Sequence, residues 1–557
     1  MMRRRTFVRA SAVAATGAAF APGYVFGRTR ADLVLRGALV FDGLGKPGRE
    51  MDVAITGDRI TALGSALPAG SEEMDLRGLA LAPGFIDIHT HVDMDAFENP
   101  NVESRIRQGV TLEVGGNCGG SPGPWTEEEY QRTREQYKSR YGVDIAFRDP
   151  AGFLAGIDRL RPTVSIATLV GNGSLRSFAV GEDDRPATET ELAVMKEELR
   201  KAIAGGAVGL SSGLEYTPSG FARVDELIAL ASVMKGTGCP YASHMRNEDD
   251  RVLAAIEELF HVGRMAGVPV QISHLKAQGQ RNHWKQEVIL DLIAEARKTG
   301  LDVRFDAYPY VAYSTGLTNL FPTEMRSGGT QAFLARLRDP ATAGYLEAYC
   351  RGKIAQLGDW NHIQITSASD RTPWARGRKL GDLAAERGVE PYALVLQLFD
   401  ENRGSVSTIG YGMSEENVEE LLAHPVGMVC SDGSSYAPYG PQAQSSPHPR
   451  SYGTFPRLLG HYVRERKLMP LEEAIRKVTS ASADRMRLEG RGRIAVGAFA
   501  DLVAFDPDTV IDRATFEEPH QYPAGIPHVI VNGVLTIRDG EQTGKRGGRG
   551  IRGSAKV

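Results

Sequence analysis

Two histidines one residue apart, His89 and His91, close the run Pro83-Gly84-Phe85-Ile86-Asp87-Ile88. The apolar stretch reads as a buried strand, and on a strand residues i and i+2 point the same way. Both imidazoles then reach one point in space, as metal binding requires. His244 ends Tyr241-Ala242-Ser243, and His274 ends Val268-Pro269-Val270-Gln271-Ile272-Ser273. One histidine so placed reads as a structural residue. Two of them, one strand–helix unit apart and added to His89 and His91, read as further metal ligands. Asp432 follows Val426-Gly427-Met428-Val429-Cys430-Ser431, again an apolar run with a polar end. Asp-Gly by itself is a turn signal. A carboxylate at a strand end beside a metal could also ligate it and take a proton from water. The remaining histidines lack such placement and read as structural.

These residues need strands to carry them to a common point. Between about residues 84 and 486, strand-like runs alternate with long amphipathic segments such as Glu191–Ala204, Arg251–Ala266 and Lys285–Lys298. Such alternation reads as strand–helix units around a parallel sheet, an α/β class of fold. In a (β/α)8, TIM-like barrel, polar residues at the C-terminal strand ends face the active-site mouth. The flanks have another texture. Asp32–Leu35 and Ala38–Phe41, separated by Arg36-Gly37, are strand-like. So are Asp52–Ile55 and Arg59-Ile60 around the turn Gly57-Asp58, and later Asp501–Phe505 and His528–Gly533. Residues 31–83 plus 487–557 therefore read as one discontinuous small β-sandwich domain beside the barrel. Gly316–Asp359 reads as an irregular insertion or lid around 316–360.

The chain has 557 residues, 24% of them charged. That length expects more than one domain. Lys plus Arg number 65 against 69 Asp plus Glu, a formal charge of −4. Nucleic-acid binders are usually basic, so this balance speaks against one. Four cysteines are too few for a disulfide scaffold of this size. Residues 1–30 hold six arginines and no acidic residue. Arg4-Arg5-Thr6-Phe7-Val8 reads as a twin-arginine export motif, and Ala10–Ala21 as an apolar region too short to span a membrane. Removing the segment would take the charge from −4 to −10. It implies delivery to a bacterial periplasm or beyond. No other stretch reads as a membrane span. The basic run Lys545–Gly550 reads as a solvated, loosely ordered tail.

Together these stretches resemble the D-aminoacylase family, the N-acyl-D-amino-acid deacylases of the amidohydrolase superfamily. The resemblance runs from about Ala31 to the C-terminus. It is carried by Pro83–His91, Gly115–Pro124, Gly209–Gly220, Ser243–Glu248, Ser273–Lys276, Cys430–Ser434 and Gly453–His461. Gly490–Val503 matches the family's usual return to its β-domain.

The resemblance implies a role for Cys118, in Gly116-Asn117-Cys118-Gly119-Gly120. Many amidohydrolases bridge two metals with a carboxylated lysine; this family uses a cysteine in that region. It implies a tight Zn2+ site from Cys118, His244 and His274, and a second, weaker site from His89 and His91 with Asp432 nearby. Sulfur plus imidazole suits zinc. Cys239, Cys350 and Cys430 lack the motif and read as structural. The implied reaction is hydrolysis of a small-molecule N-acyl-D-amino acid, with Asp432 the proton carrier. Lys276, Tyr308 and Ser314 are the implied binders of the substrate carboxylate. Arg246, two residues after His244, joins them by position alone. Where relatives carry a Gly-His-Gly-like segment, this chain has Gly171-Asn172-Gly173. Asn172 can donate to a carbonyl oxygen but cannot become cationic. Rival substrates on the same metal site are L-Xaa-D-Xaa dipeptides, acidic N-acyl-D-amino acids and cyclic or xenobiotic amides. A non-enzymatic binding protein would be expected to lack some ligands, and every position is filled. Oligomeric state is not legible.

Overall fold

The apolar strands of the chain's middle end at, or just before, the residues singled out above. The structure, a computed structural model, describes residues 30–369 and 371–555. The export-like segment, Arg30 excepted, lies outside the described residues. One parallel sheet joins Phe85–Asp87, Val110–Gly115 and Ser165–Thr168. A six-stranded parallel sheet runs from Val170–Gly171 through Leu210–Gly213, Tyr241–His244, Val270–Ile272 and Val303–Ala307 to Gly427–Val429. The far edges meet where Thr90 bridges Gly433 and the Asp432 N–H donates to the His89 carbonyl at 2.9 Å. The arrangement is barrel-like, with helices between successive strands.

Those helices follow from the sequence. Glu189–Ala204 starts at a capping box in which Thr188 and Glu191 satisfy each other's backbone N–H. Such a cap contributes about 1 kcal/mol. Val252–Ala266 buries Val252, Ala255, Ile256, Leu259, Phe260 and Val262, a stripe at helical spacing, and stops at Gly267 with φ +68°. Among the described residues no helix is long and apolar enough to cross a membrane.

The two chain ends share a nine-stranded sheet, in which Leu502–Phe505 pairs antiparallel with Ala80–Pro83. Arg36-Gly37 does not separate two strands. Leu33–Val40 is one strand, and the register shifts between Leu35 and Ala38 with Gly37 at φ +64°. A bulge uses the same glycine that a turn would. The basic C-terminal run is not loose either. The Ile166 N–H donates to Arg549 O and the Ile551 N–H to Ile166 O. Gly548 packs so closely on Val164 that a Cβ would lie 2.0 Å from its carbonyl oxygen. Composition suggested solvation, but the glycines allow backbone to dock on backbone.

The insertion differs from its expected form. Ala312–Gly316, Ile363–Ser367 and Ser407–Tyr411 make their own antiparallel sheet, so the excursion runs from about 312 to 411. Gly316–Asp359 is not irregular: it contains helices Gly329–Arg336 and Ala343–Leu357. Phe321, Phe333, Leu346, Leu398 and Phe399 form part of a separate core beneath that sheet.

Asp87, the last residue of its strand, is fully buried and joined to Arg105, which also reaches Glu113 at 2.8 Å. Its Oδ1 accepts the N–H of Ser431 at 3.0 Å and of His89 at 3.3 Å. One carboxylate thus ties the loop after the first parallel strand to the loop carrying Asp432. Burial pushes the Glu113 pKa up to about 7, while Arg105 opposes it. Arg105→Ala would leave both buried carboxylates without a counter-ion. We expect a loss of about 3–5 kcal/mol in denaturant unfolding; a change under 1 kcal/mol would show the pair to be dispensable.

Candidate metal centre

Six side chains from five strand ends converge at one mouth of the barrel-like sheet. Cys118 lies after Val110–Gly115, His244 closes Tyr241–His244, and His274 follows Val270–Ile272. Cys118 Sγ is 3.3 Å from His89 Nε2, 3.4 Å from His274 Nε2 and 3.9 Å from His244 Nδ1. Asp432 Oδ1 lies 3.0 Å from His91 Nε2 and 3.5 Å from His89 Nε2. Two groups overlap at the sulfur: Cys118 with His244 and His274, and Cys118 with His89, His91 and Asp432. Two donors on one tetrahedral zinc, bonded at 2.0–2.3 Å, stand roughly 3.5 Å apart. The observed spacings fit that, and the sulfur is placed to serve two ions.

The backbone is bent to make this happen. Cys118, His274 and Asp432 all have positive φ, at 49°, 34° and 50°. Few non-glycine residues adopt such values, and those that do concentrate at functional sites. Glycines surround Cys118 for a related reason. A Cβ on Gly116 would meet Leu169 O at 2.2 Å, and one on Gly213 would meet Cys118 O at 2.0 Å.

Buried partners aim the rings. Asp306 faces His89 Nδ1 at 3.3 Å and accepts the His274 N–H at 2.7 Å. Glu248 Oε1 lies 3.0 Å from His274 Nδ1. Glu215 lies 3.4 Å from His244 Nε2. A carboxylate behind each of these three rings fixes the tautomer that leaves the front nitrogen free for a metal. Burial works against charge on Cys118 and Asp432, but their charged neighbours win. The rings of His89, His274 and His244 hold the Cys118 thiol far below its usual pKa. Burial would also disfavour ionised Asp432, yet Arg450, 2.8 Å away, and the neighbouring imidazoles hold it well below the usual carboxylate range.

Comparison with known proteins gives this geometry a family. Residues 72–537 match the amidohydrolase family. The chain is 37% identical to a D-aminoacylase of Alcaligenes xylosoxydans xylosoxydans, over 93% of this chain and 97% of that protein. The chain belongs to the D-aminoacylase family. Two solved structures agree. An N-acyl-D-glutamate deacylase from Bordetella bronchiseptica, complexed with zinc and a phosphonate inhibitor, is 33% identical with a TM-score of 0.79, covering 94% of this chain and all 100% of its own. A D-aminoacylase studied for its binuclear metal centre has a TM-score of 0.79 and 35% identity over 94% of this chain and 100% of its own.

Within this D-aminoacylase-family site, two cavities open on Asp432. One is a narrow cleft past His244, His274 and Lys276. The other, about 640 Å³, lies past His91, Cys118, Asp93 and Trp125. Ser314, Thr315 and Tyr216 line both. Lys276 donates to Glu248 at 2.7 Å and to the His274 carbonyl at 2.8 Å. Tyr308 is buried, with its ring 5.8 Å from Lys276 Nζ and its hydroxyl donating only to the Met413 sulfur at 3.8 Å. Arg246 is elsewhere. It pairs with Glu258 at 2.8 Å and donates to the carbonyls of Gly220 and Ala222. Its i+2 spacing from His244 did not survive, because the strand ends at His244 and the chain turns. Asn172 lines neither cavity. It is fully buried and accepts the Ser219 hydroxyl, bracing the turn at Gly119.

Reading the sequence missed Glu248, Asp306, Glu215 and Arg450. Glu215 and Glu248 stood inside quoted stretches and Asp306 two residues before Tyr308, but only three dimensions show which ring each faces. Arg450 had no signal. It begins a helix after a long loop, and His448 positions it by accepting the Arg450 N–H at 3.0 Å and lying 2.9 Å from the Ala312 carbonyl through its other nitrogen.

Proposed function

We propose that this protein hydrolyses the amide bond of N-acyl-D-amino acids, releasing a carboxylate and a free D-amino acid. The carrying observation is the buried thiolate–imidazole cluster with Asp432 at the junction of two cavities. Cys118, His244 and His274 would hold one Zn2+, and His89 and His91, with Asp432 and the shared sulfur, a second. Zinc bound there supplies Lewis acidity toward the acyl carbonyl. Asp432 takes the proton of the attacking water and returns it to the leaving amine nitrogen. Arg450 keeps Asp432 ionised and oriented. Lys276, with Ser314 and the Tyr308 hydroxyl, binds the α-carboxylate through charge-assisted hydrogen bonds. That places the amino-acid half in the narrow cleft and the acyl half in the wide cavity. Arg246 is a strut, since Glu258 and the carbonyls of Gly220 and Ala222 hold its guanidinium.

The finer architecture belongs to the same reading. The parallel strands make a closed (β/α)8 barrel if Ser165–Thr168 and Val170–Gly171 count as one interrupted strand. The sheet shared by both chain ends supports a discontinuous β-sandwich domain, and the 312–411 excursion a lid, since Thr315 and Thr408 line the cleft. The arginine pair at Arg4-Arg5 supports export.

Metal loading should be pH-dependent. Burial disfavours charge on His244 and His91, but their acidic neighbours and Cys118 raise both pKa values to about 10 in the metal-free chain. Zinc must then displace protons at neutral pH. Affinity should rise as pH rises toward 10, with proton release in calorimetry across buffers of different ionisation enthalpy. Binding without proton release would contradict the assignment.

The function is tested by amine release from N-acetyl-D- and N-acetyl-L-amino acids and L-Xaa-D-Xaa dipeptides. We expect the D-series to react. The roomy acyl cavity puts dipeptides in the panel; cleavage of dipeptides alone would move the function to a dipeptidase.

A further inference from the structure

We propose that the narrow cleft selects substrates with an uncharged side chain and rejects acidic ones, with the Lys353–Asp249 ion pair as the determinant. This rests on the N-acyl-D-amino-acid reading. Beyond the metal centre, the charged groups lining the cleft are Glu215, Glu248, Asp249, Lys276 and Lys353. A side-chain carboxylate would need a free cation among them, and neither lysine is free. Lys276 is held by Glu248 at 2.7 Å and is in any case the partner of the α-carboxylate. Lys353, from the Ala343–Leu357 helix of the excursion, is bonded to Asp249 Oδ2.

The balance tips further against an acid. Glu215 faces the same space, and its one ion-pair partner among the described residues is the His244 ring. Arg326 lies behind Asn319, outside the cleft lining, and its terminal nitrogens donate to Asn319 Oδ1, Thr323 and the Glu215 carbonyl. The rest of the wall mixes Leu320, Leu357 and Ile363 with Asn319 and Thr408. Such a wall packs on methylenes and can hydrogen-bond an amide. The cleft sets three carboxylates against two lysines, with Lys353 in the field of Glu215 as well as Asp249, so an added carboxylate would meet a net negative wall, and like charge is a strong discriminator.

N-acetyl-D-glutamine and N-acetyl-D-glutamate separate charge from size, since their side chains are nearly isosteric. With zinc-loaded enzyme we expect kcat/KM to favour the glutamine substrate by about 30-fold or more. Asp249→Asn unpairs Lys353 and should narrow that ratio about tenfold through the glutamate substrate's KM. Lys353→Met should not narrow it. A purely structural role for Asp249 would depress both substrates together and leave the ratio unmoved, which would overturn the proposal. Equal or better wild-type turnover of the glutamate substrate would overturn it even if the variants do not fold. Inactivity of zinc-loaded enzyme on every N-acyl-D-amino acid would instead sink the parent reading, and this one with it.

Discussion

Replacing Asp432 by asparagine is expected to lower kcat by roughly two or more powers of ten while most of the zinc stays bound. The substitution removes the proton acceptor but keeps shape. Asparagine tolerates the left-handed backbone at position 432, where φ is 50°, better than other residues do. The amide oxygen can still face His91, and Cys118, His244 and His274 are untouched. Loss of kcat with zinc content and KM little changed is the signature of a group acting in the transition state. Arg450 provides an internal comparison. Arg450→Met removes the guanidinium 2.8 Å from Asp432 but leaves the carboxylate beside His91, so it should shift the pH profile of kcat rather than abolish turnover. Near-normal turnover by Asp432→Asn would remove Asp432 from the role.

The second large effect is at Cys118. Its sulfur belongs to both donor groups, so its loss should empty both sites. Cys118→Ser changes little volume but replaces a thiolate with a hydroxyl that stays protonated. Perturbing only the groups behind a ligand costs about 10–100-fold in metal affinity. Losing the shared ligand should cost more than about a hundredfold, with turnover falling in step. Cys239→Ser is the matched control, since Cys239 is buried away from the cluster. Full zinc retention by Cys118→Ser would mean that the imidazoles and carboxylate hold the metal without sulfur.

The candidate site was legible where chemistry depends on residue type at a strand end. His89, His91, His244, His274 and Asp432 each follow an apolar run, and a short buried run ending in a ligand type is a pattern one sequence can show. Cys118 was legible only through its motif. Arg246 misled because i+2 spacing aligns side chains only while the strand continues, and it stops at His244. The excursion and the C-terminal run misled because composition reports polarity, not docking. Glycine-rich segments read as loose until a partner backbone is seen 2.0 Å from where a Cβ would stand. Glu248, Asp306 and Arg450 come from different strands and loops, so no local pattern could pair them with their rings.

The most direct test of the account is zinc titration of metal-stripped protein, with amine release followed on N-acetyl-D-methionine and its L-enantiomer. The account predicts no activity without metal, activity on the D-substrate appearing as zinc binds, and little on the L-form. Turnover of the D-substrate by verified zinc-free protein, or equal turnover of the two enantiomers, would contradict it.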